Sequence, residues 1–198
     1  MAAPVTNSPI ILASKSPRRK ALLEQAGIAF SVFPSGIDES TLPHSEPQTY
    51  VRRLAEVKAV AVARRFPDSW VIGADTVVVM SGNVLEKPES PNQARSMMAR
   101  LSGKTHQVLT GYCVCCHSEK QIHSSLAITD VTFKCLTDAE IQWYTGTPEP
   151  YDKAGGYGIQ ELGVFLVKSV NGSYTNVVGL PVCEVISLLT RLRAIERH

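Results

Sequence analysis

No apolar stretch in the chain is long enough to span a bilayer, which excludes a helical membrane protein. An excess of one charge is missing too: 20 Lys plus Arg stand against 18 Asp plus Glu, and a net charge of +2 singles out no polyanionic partner. A nucleic-acid groove would interleave cations with aromatics. The basic pairs Arg18-Arg19, Arg52-Arg53 and Arg64-Arg65 are scattered and lack such aromatics, so no stable nucleic-acid partner is expected. Cysteine pairs are also wanting: the 5 cysteines are odd in number, and no secretory apolar segment precedes Pro9-Ile10. A reducing, cytoplasmic setting is therefore expected rather than a disulfide framework. Internal repeats, low-complexity tracts and linkers are absent. So are the phosphate loops of the common nucleotide-binding folds: Ser102-Gly103-Lys104-Thr105 lacks the upstream glycine of a Walker loop and follows a helix instead of opening one. The histidines lie in dissimilar contexts, and no Ser/His/Asp set declares itself.

What is present is a folded composition, with 44% apolar and 19% charged residues over 198 positions. That length suits one α/β domain, residues 1–198, with room for a lobe. A short apolar run at Pro9 to Leu12 passes into helical periodicity with Ser16 as N-cap, Pro17 at the first turn and Gly27 as stop. A second strand is expected near Phe30 to Phe33, and a long amphipathic helix over residues 46–66. Trp70 to Met80 reads as a buried strand with a turn at Ser81-Gly82-Asn83 and a return. A helix capped by Ser90 and closed by Gly103 precedes two long strands joined through His117 to Gln121. Thr137-Asp138 begins another helix, and residues 178–196 supply the last. The segment Pro148 to Gly163, rich in Gly, Pro and charge, is expected to be a binding loop rather than core. Cys113, Cys115 and Cys116 suit a structural strand, since their spacing is poor for zinc.

Candidate chemistry begins at Ser14-Lys15-Ser16-Pro17-Arg18-Arg19. Two hydroxyls and two guanidinium groups stand at a strand-to-helix junction whose free N–H groups already favour an anion. Arg grips phosphate in a two-pronged fashion, so a phosphate is the natural guest. Asp75 stands at the front edge of an apolar run, where a structural turn and a catalytic acid are both admissible readings. Lys58 among alanines and valines suits a snorkelling side chain. Lys87 would ordinarily be a solvated loop lysine. Together with Asp38, Glu39 and Asp152, these cations and carboxylates suit phosphoanhydride hydrolysis: cations offset the phosphate charge, while carboxylates hold a divalent metal and take a proton from water.

Eight ordered motifs, LASKSPRRKALLEQAGI, DES, YVRRLAEVKA, VIGADTVVV, EKP, LSGKTHQVLTG, EPYDKAGGYGIQ and NGSYTNVVGLPV, resemble the Maf family of nucleotide pyrophosphatases over nearly the whole chain. The resemblance implies an elongated α/β fold, a mixed sheet flanked by helices around a central cleft, similar to the inosine triphosphate pyrophosphatases. It implies metal-dependent hydrolysis of a nucleoside triphosphate to monophosphate and pyrophosphate, with Mg2+ or Mn2+, in a homodimer. Asp75 matches the proton acceptor and, with Glu39, the metal position; Ser14, Arg18, Arg19, Lys58 and Lys87 match phosphate-binding positions. Arg18, Thr76 and Gln160 match the positions that separate the branch acting on dTTP and UTP, with modified pyrimidine triphosphates as further substrates. The amide of Gln160 offers one donor and one acceptor, as the imide edge of thymine or uracil requires, whereas cytosine presents the wrong pattern. The rival readings are the 7-methyl-GTP branch and a nucleotide-binding regulator of cell division. Glu86 and Glu161 depart from the small residues of the family pattern.

Overall fold

A computed structural model describes residues 5–6, 8–39 and 46–196. Ser40 of the DES motif, His44 and His198 therefore lie outside the described residues. Most of the expected elements form, with the exceptions of the second strand and the last helix, and a strand at Val167–Asn171 is added to them. Strand β1 (Val5–Thr6) is followed by β2 (Ile10–Leu12), α1 (Pro17–Gln25), β3 (Ser31–Val32), α2 (Pro47–Ala63), β4 (Trp70–Met80) and β5 (Asn83–Leu85). Next come α3 (Pro91–Leu101), β6 (Thr105–Cys116), β7 (Gln121–Phe133) and α4 (Asp138–Thr145), then three 3-10 turns, β8 (Val167–Asn171), α5 (Tyr174–Val178), α6 (Val182–Arg191) and β9 (Ile195–Glu196).

The sheet is mixed and seven-stranded, in the order β3-β2-β4-β6-β7-β8, with β5 paired to β4; β1 and β9 form a separate antiparallel pair. Strand β2 runs parallel to both β3 and β4, whereas β4–β5 and β7–β8 are antiparallel. The expected second strand is only two residues long, and the last expected helix is split: α6 begins at Val182, after Pro181, and Ile195–Glu196 is a strand. Strand β8 carries no clean apolar alternation, because the side chains of its five residues are exposed or half-buried, and its sequence gave no signal.

The chain divides into two compact units. The first comprises residues 1–75, 110–127 and 179–198. Its core gathers Ile11, Ala13, Val71, Cys113 and Cys115 against Ala55, Ala59, Val62 and Ala63 of α2. All five cysteines are free thiols, with Cys113, Cys115 and Cys116 buried, as a structural strand requires. Small residues let α2 lie close on the sheet. At Gly73 of β4 a Cβ would meet the Ala55 carbonyl oxygen at 2.3 Å and the Ala59 Cβ at 2.8 Å, and at Gly111 of β6 it would meet the Val51 carbonyl at 2.3 Å.

The second unit comprises residues 76–109 and 128–178. Val78, Met98, Leu101, Val131, Phe133, Tyr144, Tyr157 and Leu166 centre its core. The segment expected to be a binding loop contributes to this core instead, for Glu149, Lys153, Tyr157 and Ile159 are all buried. Its glycines and prolines allow tight 3-10 turns, which carry the aromatic and charged side chains inward. His106 is buried, with Nε2 2.6 Å from the Tyr157 hydroxyl and its ring edge-on to Phe133 and Tyr157. Burial lowers its pKa to about 4 from 6.5.

Two outcomes are expected. Gly73→Ala should destabilise the protein by roughly 1–3 kcal/mol, as an added methyl group forces α2 off β4, and urea unfolding measures this. His106 stays neutral in the fold but takes a proton in the unfolded chain between pH 6.5 and about 4, so its contribution to stability is lost as the pH falls through that window. Acidification from neutral pH should cost on the order of 3 kcal/mol through this one group. The loss should be smaller in His106→Phe, as read by urea unfolding at both ends of the window.

Candidate active site

The first unit brings most of the candidate residues together. Ser14 lies in the turn after β2, and Ser16 caps α1, its hydroxyl accepting from the Arg19 N–H at 3.4 Å. The Ser14 hydroxyl oxygen accepts from the Ser16 N–H and from Arg19 Nη1, both at 3.2 Å. Arg19 also donates through Nε to the Gly179 carbonyl at 2.8 Å, tying the start of α1 to the segment before α6. The first turn of α1 contains no acid, so Arg18 and Arg19 add positive charge to a helix end that is already positive. Burial lowers the Arg19 pKa, the Asp75 charge opposes that shift, Arg18 adds to it, and Glu39 opposes it. One guanidinium thus feels both candidate carboxylates and its neighbouring cation.

Helix α2 buries Val51, Leu54, Ala55, Lys58, Ala59, Val62 and Ala63, a stripe at helical spacing. Lys58 stands inside that stripe, which corrects the snorkelling reading. Its side chain is 10% exposed, and Nζ lies 2.6 Å from Asp75 Oδ1 and 2.9 Å from Glu39 Oε1. The close approach of α2 to Gly73 sets this geometry, because Lys58 adjoins Ala59 in the helix while Asp75 follows Gly73 by two residues in the strand. Asp75 is half-buried and Glu39 is exposed. Both carboxylates converge on one ammonium, which satisfies a buried cation with two charge-assisted hydrogen bonds.

Hard divalent cations take carboxylate oxygens, and Asp75 and Glu39 form a donor pair of that kind. Among the described residues no group of three or more His, Cys, Asp or Glu could hold a metal. Two carboxylates fit a Mg2+ or Mn2+ ion that takes its remaining oxygens from water and phosphate.

Thr76 follows Asp75 on β4 and, like it, is half-buried. Lys87, Gln160 and Glu86 belong to the second unit and are exposed. Asp152 pairs with Lys153 at 2.7 Å, and Glu161 lies 3.6 Å from the same ammonium. Asp38 is exposed. Sequence reasoning missed Glu149 and Tyr144, which bind one another and the backbone around Gln160; the Gly/Pro richness of the segment concealed a buried acid.

The Maf-like protein family model matches residues 9–192. The chain belongs to the Maf family. A dTTP/UTP pyrophosphatase of Syntrophus aciditrophicus is 46% identical over 91% of this Maf chain and 88% of its own. One from Escherichia coli K12 is 48% identical over 94% of each chain, and one from Geobacter sulfurreducens is 45% identical over 94% of this chain and 97% of its own. The solved Staphylococcus aureus Ham1 protein overlays 80% of this chain and 79% of its own at a TM-score of 0.45 and 13% identity, a likeness too slight to carry an argument.

The Arg19 fork should be measurable in isolation. Arg19→Lys leaves one ammonium where two nitrogens served the Ser14 hydroxyl and the Gly179 carbonyl. The expected loss is about 1–2 kcal/mol of stability in thermal unfolding.

Proposed function

We propose that this Maf protein is a metal-dependent nucleoside triphosphate pyrophosphatase that hydrolyses dTTP and UTP, and modified pyrimidine triphosphates, to the monophosphate and pyrophosphate. The observation that carries the reading is the convergence of Asp75 and Glu39 on the buried ammonium of Lys58. The names of relatives 45–48% identical over nearly the whole chain support the same substrates.

In this reaction water adds across the α–β phosphoanhydride, one P–O bond forms and one breaks, and pyrophosphate departs. Asp75 takes the proton of the attacking water. Ser14, Arg18, Arg19, Lys58 and Lys87 hold phosphate oxygens and offset the charge that develops on the leaving group. A divalent ion on Asp75 and Glu39, when bound, supplies further charge neutralisation. Arg18, Thr76 and Gln160 select the base, the Gln160 amide meeting the imide edge of thymine or uracil. Under the same reading the enzyme works in the cytoplasm as a homodimer.

Pyrophosphate release from dTTP, UTP, CTP and 7-methyl-GTP, with Mg2+ or Mn2+ and with EDTA as control, tests the proposal. Release from dTTP and UTP that EDTA abolishes is the expected result. Release from 7-methyl-GTP alone would move the protein to the other branch, and no release would favour a nucleotide-binding regulator. Asp75→Asn should lower kcat by about 10²–10⁴-fold with nucleotide binding retained. Unchanged turnover in that variant would remove Asp75 from the chemistry.

A further inference from the structure

Gln160 sits near the apex of a short loop, residues 158–163, whose two ends are held by a single buried pair in the second unit. Glu149 is 6% exposed, unusual burial for an acid. Its Oε2 accepts from the Leu162 N–H at 2.7 Å, and its Oε1 accepts from the Gly163 N–H at 3.1 Å and from the Tyr144 hydroxyl at 3.2 Å. The same Tyr144 oxygen accepts from the Gly158 N–H at 3.3 Å. One carboxylate and one phenol thus tie down the N–H groups at both ends of the loop.

The ends are also in direct contact. A Cβ at Gly163 would lie 2.2 Å from the Gly158 carbonyl oxygen and 3.0 Å from the Tyr144 hydroxyl; one at Gly158 would lie 3.0 Å from Glu149 Oε1 and 2.8 Å from Lys153 Cε. Only glycine fits at position 163, where the clash is with backbone, whereas a side chain at 158 would have to displace the Lys153 stem. From beneath, the buried Lys153 ammonium donates to the Glu149 carbonyl at 3.1 Å and lies 3.6 Å from Glu161 at the apex. A base of buried polar groups therefore closes a loop whose apex, Gln160 and Glu161, is exposed.

Buried polar groups such as the Glu149 carboxylate, the Tyr144 hydroxyl and the Lys153 ammonium are costly unless each is satisfied, and once satisfied they hold the chain they bind firmly. An amide that must meet a base edge with its donor and acceptor in register needs a fixed point of attachment, and the bonds to the Gly158, Leu162 and Gly163 N–H groups fix the backbone on both sides of Gln160. We infer that the Tyr144–Glu149 pair positions the Gln160 loop and thereby sets pyrimidine selectivity without itself meeting the nucleotide. This rests on Gln160 as the reader of the base. Glu149 and Tyr144 are then positioning residues, and Glu161, the departure from the family pattern, is a further tie between the apex and Lys153.

The test compares kcat/KM for UTP with that for CTP in the wild type, Gln160→Ala, Tyr144→Phe and Glu149→Gln, with the thermal midpoint of each and hydrogen exchange of the amides of residues 158–163. Tyr144→Phe removes one oxygen and keeps the ring in the core, so it remains informative if Glu149→Gln folds poorly. The UTP preference is expected to fall roughly tenfold to a hundredfold in Gln160→Ala and in Tyr144→Phe, with faster amide exchange in the latter. If Gln160→Ala loses the preference while a folded Tyr144→Phe keeps it, the positioning role is overturned and Gln160 remains the reader. Should Gln160→Ala keep the preference, the base-reading assignment fails and the positioning inference falls with it.

Discussion

A lysine ammonium on the apolar stripe of a helix demands an anion, and the first unit is arranged around that demand. Lys58 is flanked on its helix by Leu54, Ala55, Ala59 and Val62, all buried, so its charge finds no stabilising partner along α2 itself. An unpaired charge in such a place is prohibitive, and removing one member of a buried pair typically costs several kcal/mol. Asp75 and Glu39 supply the anions. The same convergence places two carboxylates at one point.

That pairing depends in turn on distance between backbones. The 2.3 Å that would separate a Gly73 Cβ from the Ala55 carbonyl means that α2 lies directly on the strand. Any side chain at position 73 would hold the helix away and lengthen the Lys58–Asp75 contact of 2.6 Å. Glycine in Gly73-Ala74-Asp75-Thr76 is thus a packing residue for the helix, and the acid two residues later owes its partner to it.

The second unit solves a related problem with the opposite charge. Glu149 is a buried carboxylate answered by two backbone N–H groups and one hydroxyl, rather than by a cation at its carboxylate oxygens. Backbone donors hold an anion and order the chain that carries them, so a buried acid here shapes a loop, whereas the buried lysine of the first unit gathers two carboxylate side chains. Burial of charge has different consequences because the partners differ: side chains in one case, main chain in the other.

Local pattern decided much of this protein. Caps at Ser16, Ser90 and Thr137, the helical stripe of α2 and the apolar run of β4 are short-range signals, and each element forms where its residues place it. Ordered motifs carry the resemblance to the Maf family, whose model matches residues 9–192. What local pattern left open was partnership. Lys58 reads as a snorkelling side chain until Glu39 and Asp75 meet it across 19 and 17 residues of chain. Residues 148–163 read as an open loop because glycine and proline are turn formers wherever the turn lies. Only tertiary packing put Glu149 and Tyr144 beneath that loop, since the hydrogen bonds that bury a polar group belong to contacts and not to composition. The sequence by itself determined the capped helices and the long apolar strand; the tertiary structure alone decided which charges face one another, because burial and pairing arise only when separate segments pack.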